Sequence, residues 1–275
     1  MRSFKSIIPF SISLALLFAG SGSPKTNSSS CTPNSFDIKT CTADEFKSQL
    51  EKCYKDNDVS GLENIFYRWN AAFQADTGSG IYEDIKSVYA VYKAFYKPFD
   101  LLKLGEWEWG NDLNSNCKYA VIQDQIIFST LLSEDVEGFD WKKLTKDTIR
   151  NFRPALDLGK DEILYLNDNL EKGLNLFLGT KSTKVGEKNI MDPSLPKGES
   201  EKRYSFLRKF IPILHGHWGG YWHIATHPQI STLVLNKSLT KAKIYFRVGY
   251  QGGEALMEKD KSGWRIKESK ATWIE

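Results

Sequence analysis

The first half of the chain carries apolar side chains at the three- and four-residue spacing of amphipathic helices. Thr42 followed by Glu45 has the capping-box pattern of a helix start. Pro98 ends the third helical pattern, because proline cannot continue a helix. Gly179 is placed to end a later one. Helices are predicted over about 42–54, 62–73, 81–97, 161–178 and 201–210.

Two other regions have the pattern of β-strands. Residues 117–132 are β-branched and aromatic enough for one or two strands. Between residues 241 and 250, apolar and polar side chains alternate, as on a strand with one buried face. Turns are predicted at Gly252-Gly253 and over 260–263, which gives a curved antiparallel meander of four or more strands. Together the elements predict an α+β protein.

The last strands, KAKIYFRVGYQGGEALMEKDKSGWRIKESKATWIE (residues 241–275), resemble SnoaL-like domains of the nuclear transport factor 2-like superfamily. The shared features are a long strand, a return with small residues, a charged turn and a Gly-Trp pair. The resemblance implies that residues 159–275 form a cone of helices packed on a curved antiparallel sheet, with a cavity used for ligands, catalysis or association. It assigns no catalytic residue. Residues 41–158 are predicted as a mainly helical part with one or two strands.

The N-terminus has the layout of a secretory signal peptide. Residues 1–21 begin with two cations, continue with a mostly apolar run over 7–18, and end in small residues that suit cleavage after Ser21. The apolar run is short for a membrane span, although an uncleaved anchor is the alternative. Residues 22–40 read as a flexible leader. We therefore predict export to the periplasm, the cell surface or the medium, in keeping with a resemblance to exported bacterial proteins.

Charge narrows the choice of partner. The formal net charge of +3 falls to +1 when the two cations of residues 1–21 are removed. Such a nearly neutral chain argues against nucleic acid as the main partner, because phosphate binding needs a basic stripe. No transmembrane span is expected after cleavage, and the predicted partner is a small ligand or another protein.

Four cysteines would remain in the exported chain: Cys31, Cys41, Cys53 and Cys117. An even number in an exported protein favours disulfides, and four cysteines allow three pairings. Proximity along the chain favours Cys31–Cys41 together with Cys53–Cys117.

All four histidines lie within residues 215–227. A two-residue turn at 219–220 would put His223 on the face opposite to His215 and His217. A three-residue turn would instead set His217 directly across from His223 and bring the histidines to one face. In that register His215, His217 and His223 could hold zinc or another transition metal.

The same segment allows two readings without metal. The imidazoles could pack between neighbouring aromatic rings, or they could line a polar pocket that binds a ligand. We predict an exported binding module for a small ligand or partner, with its pocket near residues 215–227. The alternatives are a metal-dependent or histidine-assisted hydrolase, with no catalytic residue assigned, and a structural or interaction protein without a ligand. The ligand-binding candidates are Trp218, Trp222, His223 and His227.

Overall fold

The computed structural model is α+β, with five helices and a mixed, open sheet in its described part. The predicted signal peptide lies outside the described residues, as do Cys31, His217 and Trp218. The described residues are 36–76, 82–107, 113–114, 117–159, 162–181, 190–215 and 222–274.

The three helices predicted in the N-terminal half are confirmed. The capping box is formed as predicted, because Glu45 N–H donates to Thr42 Oγ1 at 3.3 Å and Thr42 N–H donates to Glu45 Oε2 at 2.8 Å. The helices are α1 (Ala43–Lys55), α2 (Val59–Ala72), α3 (Glu83–Phe95), α4 (Asp168–Phe177) and α5 (Glu199–Leu207).

The strands fall into one main sheet and three two-stranded ladders. They are β1 (Ala120–Gln123), β2 (Gln125–Thr130), β3 (Asp147–Arg150), β4 (Ile163–Leu166), β5 (Thr180–Lys181), β6 (Ile190–Met191), β7 (Ile213–His215), β8 (Trp222–Ile224), β9 (Gln229–Leu235), β10 (Lys241–Val248), β11 (Gln251–Asp260) and β12 (Gly263–Ile274).

The main sheet has the order β12-β11-β10-β9-β2-β3. Its four C-terminal strands form the predicted antiparallel meander, but the sheet as a whole is mixed, because β2 lies parallel to β9. Two parallel neighbouring strands must be joined by a long crossover connection. The alternation of apolar and polar residues within a single strand does not reveal such a connection. The sheet thus combines strands from both sides of the boundary predicted between residues 158 and 159.

The helix predicted over 161–178 is shorter than expected. Its first apolar residues form β4, which pairs in parallel with β1. Asn167 then caps α4 by accepting a hydrogen bond from Leu170 N–H at 3.0 Å. In a buried run of four residues, the hydrophobic pattern cannot distinguish a strand from a helical turn. The pairing of this run with β1 decides its conformation.

The turn predicted at Gly252-Gly253 is also misplaced. The chain turns at residues 249–250, and both glycines lie inside β11. Aromatic rings pack directly on their backbone: a Cβ on Gly252 would lie within the indole of Trp273, and one on Gly253 would lie 2.7 Å from Trp107. These glycines therefore permit close packing rather than a turn.

The space between α3 and the sheet is filled by aromatic side chains. Phe95 of α3 meets Phe246 of β10 edge to face at a centroid distance of 4.9 Å, and Trp107 packs on the same ring at 5.4 Å. All three side chains are buried. The described helices and the sheet thus share one hydrophobic core.

The predicted disulfide pairing is wrong, because Cys41 and Cys117 are thiols. The Cys41 thiol is buried and donates to Ile38 O at 3.5 Å, and the Cys117 thiol donates to Arg208 O at 3.7 Å. Burial raises the pKa of Cys41 to about 11. Proximity in the sequence did not predict the surroundings of these two thiols, because the fold sets them.

Replacing Gly253 with Ala is expected to cost about 2–3 kcal/mol of folding free energy, because the added Cβ would lie 2.8 Å from Lys270 O within the β11–β12 ladder. Gly252→Ala is the matched control. The three atoms nearest to its added Cβ all belong to the indole of Trp273, which is 53% exposed and can rotate away, so the expected cost is about 1 kcal/mol or less. Urea unfolding of both variants measures the difference, and equal losses would contradict this placement of the rings.

Candidate functional site

The β7–β8 ladder has a register different from both predicted alternatives. His215 pairs with Trp222, and Leu214 pairs with His223. Neighbouring positions along a strand point to opposite faces, so the imidazoles of His215 and His223 lie on opposite sides of the ladder. The difference arises because six residues, 216–221, separate the two strands, rather than a two- or three-residue turn.

This register separates two of the three histidines predicted to bind zinc, and the third, His217, lies outside the described residues. Within the described part of the chain, no group of three or more histidine, cysteine, aspartate or glutamate side chains is arranged to hold a metal ion. The described residues therefore give the zinc prediction for His215, His217 and His223 no support.

Trp222 is packed into the protein interior. Its indole N–H donates to Leu178 O at 3.3 Å, and its ring stacks on Tyr204 at a centroid distance of 5.3 Å. The exposed ring of His215 meets the same indole edge to face at 4.8 Å. The indole N–H of Trp222 thus has a hydrogen-bond partner within the protein, and its ring contacts the rings of Tyr204 and His215. Its companion candidate, Trp218, lies outside the described residues.

His227 is 1% exposed and neutral at ordinary pH. Its Nδ1 lies 3.3 Å from Arg247 O, so Nδ1 carries the proton, because a carbonyl oxygen can only accept. The pKa of His227 is lowered to about 4, mainly by burial; the hydrogen bond to Arg247 O opposes this shift, and the charges of Arg247 and His223 add to it. Nε2 then holds a lone pair that has no hydrogen-bond partner among the described residues. Such an imidazole can accept a hydrogen bond, but at neutral pH it is a weak base.

A buried hydrogen-bond network ties His227 to the end of α3. Asn114 Nδ2 donates to Pro98 O at 2.7 Å and to His227 O at 2.8 Å, while Asn114 Oδ1 accepts from His227 N–H at 3.1 Å. The Tyr96 hydroxyl donates to Thr226 O at 2.8 Å. The last turn of α3 and residues 226–227 are therefore held in one arrangement.

The other side of this network borders an open groove of about 340 Å³. Its walls come from the end of α3, from residues 97–100 and from residues 156–158. Tyr96 belongs to both the groove and the network, since it is a lining residue of the groove and its hydroxyl donates to Thr226 O. Burial raises the pKa of Tyr96 well above its ordinary value, which keeps the hydroxyl protonated and donating.

Little in the sequence indicated this groove. Pro98 predicted the end of α3, but nothing in the sequence indicated that residues 156–158 would lie beside it. Residues 226–227 are linked to the groove through Tyr96 and Asn114. Neither His227 nor His223, two of the predicted ligand-binding residues, is among the described residues that line the groove.

Asp124 is a second titratable group with an altered pKa. It lies between β1 and β2, is 6% exposed, and has its pKa raised to about 6. Burial is the main cause and the carboxylate of Asp168 adds to it, whereas Arg153 acts in the opposite direction. The sequence offered no signal for this residue, because a single aspartate between two short strands has no recognisable pattern.

No protein-family profile, curated protein or solved structure matches this chain. None of the described helices is long and apolar enough to cross a bilayer.

Replacing His227 with Gln is expected to remove a specific pH dependence of stability. Between pH 6.5 and about 4, the unfolded chain binds a proton at His227 and the folded chain does not. The contribution of His227 is therefore full above pH 6.5 and decreases as pH falls towards 4, by up to about 1.4 kcal/mol per pH unit.

The readout is the difference in unfolding free energy between wild type and His227→Gln, measured by urea unfolding across this range. The difference is needed because Asp124, whose pKa is raised, makes a contribution of opposite sign at overlapping pH. A difference that stays constant with pH would contradict the burial of a neutral imidazole.

Proposed function

We propose that the protein is an exported binding module for a small molecule, and that the molecule binds in the groove at the end of α3. The groove itself carries this proposal. Its volume of about 340 Å³ lies within the range of small-ligand sites, and its lining combines apolar and charged side chains.

The walls of the groove are fixed before any ligand binds. Tyr96 is held by its bond to Thr226, and the backbone at Pro98 is held by Asn114. Leu156 packs partly against the hydrophobic core. A site with fixed walls loses less conformational entropy on binding, and this favours affinity for a small ligand.

A SnoaL-like relationship remains part of the proposal, and its support is the antiparallel run β9–β12 with α3 packed against it. In the cone of that fold, the resemblance implies a cavity between helices and sheet. Here Phe95, Trp107 and Phe246 occupy the space between α3 and the sheet. The proposed site is therefore the groove outside this interface.

Cysteine chemistry supports export alongside the signal-like N-terminus. Cys53, buried in α1, is disulfide-bonded. Because Cys41 and Cys117 are thiols, the disulfide of Cys53 is with neither of them. Disulfides form and persist in the oxidising compartments that exported proteins reach.

Leu156→Trp is expected to fill part of the groove and abolish binding there. The test is a thermal-shift screen of small amphipathic compounds. At a ligand concentration of about ten times Kd, binding stabilises the folded state by about 1.4 kcal/mol, which raises Tm by roughly 3–5 °C. The Leu156→Trp variant should lose this shift.

The matched control is Leu132→Trp, since Leu132 is 93% exposed and lies outside the groove. This variant should keep the full ligand-induced shift. Compounds that stabilise Leu156→Trp as strongly as wild type would contradict the proposed location, and a screen without any stabilising compound would contradict small-molecule binding.

Titration of the denatured, unreduced exported protein with a thiol reagent should give two thiols per chain, from Cys41 and Cys117. Peptide mapping without reduction should recover the Cys53 peptide linked to a second peptide. Four reactive thiols, or none, would contradict a disulfide at Cys53 beside thiols at Cys41 and Cys117.

A further inference from the structure

The charges around the groove do not balance. Lys93 and Lys97 are both exposed on the groove and form no ion pair with an acid among the described residues. Of the two acids in the lining, Asp100 is already paired with Lys103, which lies outside it. Asp157 is the remaining carboxylate. The described lining residues therefore present two cations and one carboxylate without an ion pair to another described residue.

The other described lining residues offer a ligand mainly apolar surface. Phe99, Leu156 and Leu158 supply hydrocarbon and aromatic surface. Among the described lining residues, Tyr96 is the one with an uncharged polar side chain, and its hydroxyl donates to Thr226 O. The side chains of the groove can thus recognise a ligand by apolar contact and by charge, but not by a set of neutral hydrogen bonds.

We propose that the groove selects a free amphipathic carboxylate, with its aliphatic or aromatic body against Phe99 and the two leucines and its anionic group beside Lys93 and Lys97. The inference rests on the proposed function and adds the class of ligand. An ammonium head group would be repelled by the excess of positive charge, and an alcohol would gain apolar contact alone. A carboxylate gains both contributions.

The test compares three ligands that share a six-carbon chain and differ in the head group: hexanoate, 1-hexanol and hexylammonium. Dissociation constants are measured at low and at high salt by isothermal titration. Hexanoate should bind about threefold to tenfold more tightly than hexanol, as expected for one or two solvent-exposed ion pairs. Hexylammonium should bind more weakly than hexanol. High salt should reduce both differences, because it screens exposed charges.

The double variant Lys93→Gln/Lys97→Gln should bring hexanoate to the affinity of hexanol and leave hexanol unchanged. Lys52→Gln/Lys55→Gln is the matched control, since it removes two exposed lysines from the end of α1 and changes the net charge equally. This control should keep the preference for hexanoate.

The outcomes separate the two proposals. Equal affinities for hexanol and hexanoate in wild type, or a preference for hexanoate that survives the Lys93/Lys97 double variant, would overturn the assignment of the ligand class while the groove remained a binding site. Absence of binding by all three compounds would overturn the groove itself, and the assignment with it. Loss of the preference in the Lys52/Lys55 control would show an effect of net charge and would also overturn the assignment.

Discussion

The hydrogen bonds that tie the end of α3 to residues 226–227 hold together parts of the chain that are far apart in sequence. Asn114 alone makes three of these bonds, to Pro98 and His227. Thr226 continues the network, since its backbone N–H donates to Val121 O and its hydroxyl accepts from Val121 N–H. An unsatisfied buried polar group costs about 1–3 kcal/mol, so breaking such a network would be costly at several atoms together. The network therefore couples α3, β1 and the segment before β9.

The location of the groove follows from this hydrogen-bond network and from the aromatic packing between α3 and the sheet. Phe95 and Phe246 close the space between α3 and the sheet, and the open volume of the groove lies beyond the last turn of the helix. Tyr96 lines the groove and donates its hydroxyl to Thr226 O. The same region holds His227, whose burial keeps its imidazole neutral.

The sequence predicted the features that depend on neighbouring residues. Thr42 and Glu45 indicated the start of α1, and the alternation in β10 indicated its buried face. Features set by distant contacts were missed. Gly252 and Gly253 looked like a turn because the tryptophans that pack on them lie elsewhere in the chain, and the register of β7 and β8 depended on a connection whose conformation no local pattern specifies. The groove could not be predicted, since its walls are separated by more than fifty residues and meet only through the fold.

The most direct test of the account is to map, by backbone amide chemical shifts, where an amphipathic small molecule binds to the isotopically labelled protein. The account predicts that the largest shifts fall on residues 93–100 and 156–158, with a smaller response at Thr226, which is coupled to the groove through Tyr96. Shifts concentrated in β7 and β8 with none in the groove would contradict it, and would return the binding site to the histidine segment itself.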